Sequence, residues 1–153
     1  MTEGVRAPRW SLREELALVD TLFALHGLRD PERVRLVRRV PEPLPELAVP
    51  PMVLLPLAEN AVKHGVAAGH GPGRVDVVLE VEANRADGTL VVRLDNAGAF
   101  AGRRAGGLGL AMVERRLALA YDGRASFRIA AAGARTVAEV AFPVGAAPGQ
   151  ERA

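Results

Sequence analysis

Cysteine is absent from the 153 residues, which excludes disulfides and thiolate-held metals and fits a reducing compartment. Aromatic side chains make up only 4% of the chain, so a core has to be assembled mostly from leucine, valine and alanine. No apolar run approaches the length of a membrane-spanning helix, and the opening MTEGVRAPRW has no apolar signal core. A soluble, cytoplasmic domain without direct membrane insertion is expected. The 20 basic and 18 acidic residues leave a net charge of +2, and the arginines are spread rather than gathered with aromatics. A nucleic-acid partner is therefore not expected. Lysine is nearly missing too: Lys63 is the only one, and histidine occurs only at 26, 64 and 70.

What is present fits one domain with one core, at 49% hydrophobic residues. Residues 1–10 read as a flexible lead-in, 11–143 as the domain and 144–153 as a disordered tail. Within the domain, residues 11–50 form a linker helix, a strand and a connector. Ser11 and Glu14 have the form of a capping box ahead of Leu12, Leu16, Val19 and Phe23 at helical spacing. That helix is expected to stop by Gly27. A short strand follows at Val34–Val40, then a proline-rich connector from Pro41 to Pro51 with little regular structure. Leu54 to Gly65 reads as a helix in which Pro56 should cost a backbone hydrogen bond. Val75, Val77, Leu79 and Val81 alternate with polar residues. Leu90, Val92 and Leu94 alternate with Val91, Arg93 and Asp95. The two strands are joined by an Asp-Gly hairpin connection. A glycine-rich loop, a helix from about Leu108 to Tyr121 and two last strands at Phe127–Ile129 and Val137–Phe142 complete the chain. Helices between adjacent hairpins predict an α+β sandwich: a mixed, mostly antiparallel sheet covered on one face by helices.

Three stretches carry chemistry. In LLPLAENAVKHG the helical phase sets Glu59, Asn60, Lys63 and His64 together on one face, opposite Leu54, Leu55, Ala58, Ala61 and Val62. By itself this is also what a solvated outer helix face looks like. Asn60 offers an amide oxygen of the kind magnesium takes alongside nucleotide phosphates, and Lys63 suits a phosphate. Glu59 suits a group that orients or accepts a proton from an attacking hydroxyl or water. In LDNAGAF, Asp95 ends a strand before a turn. Its carboxylate accepts hydrogen bonds only, as an exocyclic amine such as adenine's requires, although taken alone an Asp-Asn turn explains it better. In GGLGLAMVERRLALAYDG, glycines before a helix let backbone N–H groups approach a phosphate. The glycines are not followed by the Lys-Ser/Thr of a P-loop and lack the spacing of a dinucleotide fingerprint.

In this order, and with this spacing, the three stretches resemble the asparagine box and the two glycine boxes of the ATP-binding fold of histidine kinases, gyrase, MutL and the Hsp90 chaperones. VPPMVLLPLAENAVKHG and GLGLAMVERRLALAYDG are most similar to LytS-like sensor histidine kinases, and the resemblance runs from about Ser11 to Pro143. It implies a two-layer Bergerat-type sandwich holding ATP and Mg²⁺ between the Glu59 helix and a lid at 97–107. Glu59 would be catalytic and Asn60 would hold the metal. The nucleotide would meet Lys63, His64, Asp95, which reads adenine, and Gly98. Gly107, Leu108, Gly109 and Leu110 would pass the phosphates, and Thr136 would neighbour the adenine. The chain departs from the family at Ala97 and Ala99, where glycines are usual and Gly98 is out of phase. It departs also at Met112 and at Arg135.

A kinase of this kind also needs a phosphoacceptor histidine. His26 begins HGLRDP, a superficial copy of an acceptor pattern, but the prolines at 31, 41, 43, 45, 50 and 51 leave too little helix for a two-helix hairpin. The Pro-His-Phe motif of LytS-like kinases does not occur in the sequence. The resemblance therefore implies the catalytic domain of a truncated or split kinase, transferring the γ-phosphoryl group of ATP to a histidine on another chain or segment. Its implied partners are a phosphoacceptor domain or membrane-associated sensor chain, a response regulator and, in a homodimer, a second copy. The alternative is a degenerate nucleotide-binding module that regulates a partner without phosphorylating it.

Overall fold

A computed structural model describes residues 9–29, 33–68, 75–84, 86–98 and 108–144. The lead-in at 1–8, the loop with His70, the greater part of the lid at 97–107, Gly107 and the tail beyond residue 144 lie outside the described residues.

The capping box forms. Ser11 N donates to Glu14 Oε1 at 2.8 Å and Glu14 N donates to Ser11 Oγ at 3.1 Å, satisfying donors that a helix start leaves over. This opens α1, Leu12–Arg29, which buries Leu12, Leu16, Val19 and Phe23. The expected stop at Gly27 does not occur, and α1 continues to Arg29. Nothing lies within 4 Å of where a Cβ on Gly27 would stand, so this glycine interrupts no packing. Its cost is only the local entropy of a helical glycine, about 1 kcal/mol, which the packed α1 tolerates.

Ahead of α1 is a two-residue strand, β1, Trp10–Ser11. It pairs antiparallel with β3, Ala48–Val49, inside the connector expected to be irregular. Prolines on either side had hidden it. Between them lies β2, Val34–Arg39. The next helix, α2, is Leu55–Ala68. Pro56 is its second residue, and the first four N–H groups of a helix have no intrahelical acceptor. The hydrogen bond that Pro56 was expected to cost therefore does not exist, and its fixed φ suits the first turn.

The sheet is completed by β4, Val75–Asn84, β5, Thr89–Ala97, β6, Ser126–Ala132, and β7, Arg135–Pro143, with α3, Leu108–Tyr121, between β5 and β6. Strand order is β2-β4-β5-β7-β6. Only the β2–β4 pair is parallel; β4–β5, β5–β7 and β6–β7 are antiparallel. The architecture is the expected α+β sandwich with a mixed, mostly antiparallel sheet.

Strand alternation sorts the two faces. Val77, Leu79 and Val81 of β4, Leu90, Val92 and Leu94 of β5, and Ala138, Val140 and Phe142 of β7 are buried in one cluster with residues of all three helices. The opposite face is a charged lattice. Arg35 pairs with Asp76 at 3.0 Å, and Arg93 with Glu139 at 2.6 Å and Glu82 at 3.1 Å. Arg128 meets Glu139 at 3.3 Å. Hydrogen bonds to Glu139 and then Glu82 push the Arg93 pKa further up. Among the described residues no helix is long and apolar enough to cross a membrane.

Candidate nucleotide-binding site

The start of α2 is built by a buried carboxylate. Glu15 of α1 is 0% exposed. It accepts from the backbone N–H groups of Met52, of Val53 at 3.0 Å and of Leu54 at 2.7 Å, and from Trp10 Nε1 at 2.6 Å. Met52 has a positive φ of 64°. That left-handed residue turns successive N–H groups toward one point, the concavity in which an anion is stable. Capping-box logic accounts for Glu14, but no local pattern in the sequence marked Glu15.

With its start fixed, α2 sinks Leu57, Ala58, Ala61 and Val62 into the core. Glu59, Lys63 and His64 are exposed and Asn60 is half-buried, so the four polar residues occupy the side that the sequence phase predicts. Across from them, Leu108 opens α3, Gly109 is exposed and Leu110 is buried. A Cβ on Gly109 would stand 3.5 Å from Pro56 Cβ, so the first turn of α3 lies against the first turn of α2. Arg116 of α3 donates to Pro51 O at 2.6 Å and holds the same junction. The asparagine-box helix and the second glycine box are thus neighbours.

The β5–β7 pair supplies a further part. Asn96 is opposite Thr136 in the register, and both are buried, at 2% and 3% exposure. They share the helix-covered face with Leu94 and Ala138. Gly98 follows with a φ of 100°. Its N–H donates to Ala134 O at 2.8 Å, and Thr136 Oγ1 donates to its carbonyl. Glycine is required at 98, where the chain turns out of the strand, whereas Ala97 is still inside β5. The alanine at 97, which departs from the family's pattern, is therefore compatible with this backbone.

Asp95 is not on that side. It is opposite Val137 in the register and accepts from Arg135 Nε, lining a shallow depression with Arg39, Glu80, Arg93 and Arg135. The alternation of Leu90, Val92 and Leu94 against Val91, Arg93 and Asp95 already contained this result. Extended by one residue, it sends Asn96 to the covered face. His26, the superficial acceptor, lies half-buried within α1.

The donor set suits nucleotide-borne magnesium. Among the described residues no group of three or more His, Asp or Glu side chains is arranged to hold a metal. A magnesium ion here would draw on the Asn60 amide, with phosphate and water oxygens completing the shell, which is its usual preference.

No family model matches the chain. Over 109 residues it is 30% identical to the sensor histidine kinase BtsS of Escherichia coli K12, an alignment covering 70% of this chain and 19% of that protein. The chain thus spans less than a fifth of the curated relative's length. Among solved structures it superimposes on the catalytic domain of histidine kinase ThkA with a TM-score of 0.67 and 14% identity, covering 89% of this chain and 96% of that one. On the mycobacterial sensor histidine kinase MprB the TM-score is 0.60 at 15% identity, covering 90% and 97%. By fold the chain matches the catalytic domains of histidine kinases, and over 70% of its length its sequence is similar to a sensor histidine kinase.

Proposed function

We propose that the chain is the catalytic domain of a two-component sensor kinase of the LytS-like kind, passing the γ-phosphoryl group of ATP to a histidine borne outside residues 11–143. The observation that carries this is the junction of α2 and α3. The first turn of the helix bearing Asn60 lies against the first turn of the helix that follows the glycines, beside a sheet face carrying Gly98 and Thr136. Phosphoryl transfer asks a protein mainly to position reactants and neutralise charge. Asn60 would hold magnesium, which when bound neutralises phosphate charge. Lys63 and His64 would face the nucleotide, and the backbone from Gly107 to Leu110 would receive phosphate at a helix start. Glu59, exposed one residue before Asn60, would orient the incoming acceptor or take its proton.

Of the described histidines, neither His26 nor His64 suits the acceptor role. In-line transfer needs a nitrogen brought up to the γ-phosphorus on a separately moving element. His64 is on the nucleotide-side helix, and His26 is in α1, which Glu15 ties to the start of α2. Incubation of the chain with γ-labelled ATP should give no acid-labile label. Addition of a LytS-like partner segment carrying a Pro-His-Phe motif should produce label on that partner's histidine. Stable label on His26 of the chain alone would contradict this. Nucleotide binding without label in either condition would favour the regulatory module.

A further inference from the structure

Two polar residues end β5, and the strand sends them to opposite faces. We propose that Asn96, not Asp95, is the side chain that reads the nucleotide base, and that it selects adenine through both halves of its amide. The inference rests on the chain binding nucleotide, as proposed above.

Three observations separate the neighbours. The first is phase: Asn96 continues the buried series Leu90, Val92, Leu94, whereas Asp95 continues the outward series of Arg93. The second is company. Asn96 is paired across the strands with Thr136, whose hydroxyl holds the Gly98 carbonyl, so the amide, the hydroxyl and the glycine turn form one cluster on the α2 side. The third is commitment. The Asp95 carboxylate is paired with Arg135 on the charged open face, one ion pair among several there.

The chemistry of the amide is specific. One N–H of Asn96 Nδ2 donates to Ala97 O at 2.7 Å, which fixes the plane of the group. Its second N–H and its oxygen form a donor–acceptor pair, and adenine's pairing edge presents the complementary acceptor and donor, N1 and the 6-amino group. A carboxylate offers acceptors only and has nothing to give N1. Guanine presents a carbonyl oxygen and N–H donors along the same edge, so an amide set for adenine mismatches it. Burial at 2% exposure adds to the discrimination, because hydrogen bonds count for most where water is excluded.

Calorimetric titration with ADP and with GDP, both with magnesium, tests this on the parent chain and on Asp95→Ala, Asn96→Ala and Asn96→Asp. Thermal melting shows that each variant is folded. Asp95→Ala should keep ADP affinity within about threefold, since what it loses is a half-exposed ion pair on the opposite face. Asn96→Ala should weaken ADP roughly tenfold or more, and Asn96→Asp should narrow the ADP-over-GDP preference by about tenfold. Loss of ADP binding in Asp95→Ala, or parent-like binding and selectivity in the folded Asn96 variants, would overturn the assignment and leave the nucleotide site standing. A folded parent that binds no ADP would overturn both. If neither Asn96 variant folds, Asp95→Ala decides alone: retained affinity upholds the proposal and lost affinity overturns it.

Discussion

At the scale of single residues, Glu15 holds more of this structure together than any group at the candidate site. It is a fully buried carboxylate joined to four donors, three of them consecutive backbone N–H groups ahead of α2. A buried charge is tolerable only when its hydrogen bonds are made, and removing it strands the donors. Glutamine at 15 keeps the shape but turns an NH₂ toward N–H groups. Glu15→Gln should therefore lose about 2–3 kcal/mol of stability in urea titration. A loss below about 0.5 kcal/mol would mean that the N–H groups are satisfied without the carboxylate. The fold was read from periodicity, and periodicity is blind to such a residue. Glu15 is one turn past the helix cap, between Glu14 and Leu16, and only the return of the chain at Met52–Leu54 gives it a role. Asn96 is a different case: the alternation of β5 places it on the covered face and Asp95 on the other, whereas the glycine-box resemblance points to Asp95.

At the scale of elements, what was legible were the segments whose burial is repeated along the chain. The helix read at about Leu108–Tyr121 is α3, and the alternating strands are β4, β5 and β7, because each buries every second or every third-to-fourth residue. The pieces that escaped are held by long-range partners. The β1–β3 pair joins residues far apart in sequence, and the last turn of α1 runs past Gly27 into an exposed end. Tyr121 shows how such a remote link is made. Its ring lies 5.9 Å from that of Phe142, its hydroxyl donates to Ala48 O at 3.2 Å, and Arg9 sits 5.1 Å from the ring centroid. Burial pushes its pKa up from 10.0, against a smaller lowering by Arg9. The folded state therefore prefers the neutral phenol. Because the folded pKa exceeds the unfolded one, this stabilisation is whole below about pH 10 and is lost as pH rises through the raised value. Tyr121→Phe should cost about 0.5–1.5 kcal/mol at neutral pH for the lost hydrogen bond. Above pH 10 the gap between parent and variant should shrink, read as converging melting temperatures. Parallel alkaline melting curves would show that ionisation of Tyr121 is not coupled to unfolding.

At the scale of the whole molecule, the two faces of the sheet have different occupations. One is covered by three helices and brings together the start of α2, the start of α3 and the Asn96–Thr136–Gly98 cluster. The other, among the described residues, is a field of arginine–carboxylate pairs. This division is the reason the proposed nucleotide site is put on the helix side. The shared helix side of Glu59, Asn60, Lys63 and His64 was legible, because helix phase governs it. The most direct test is calorimetric titration of the folded chain with ADP, with and without magnesium, beside Asn60→Asp. Saturable binding that tightens with magnesium, and loses that response in Asn60→Asp, is the predicted result. Absence of binding at millimolar ADP, or binding indifferent to magnesium in both proteins, would contradict it.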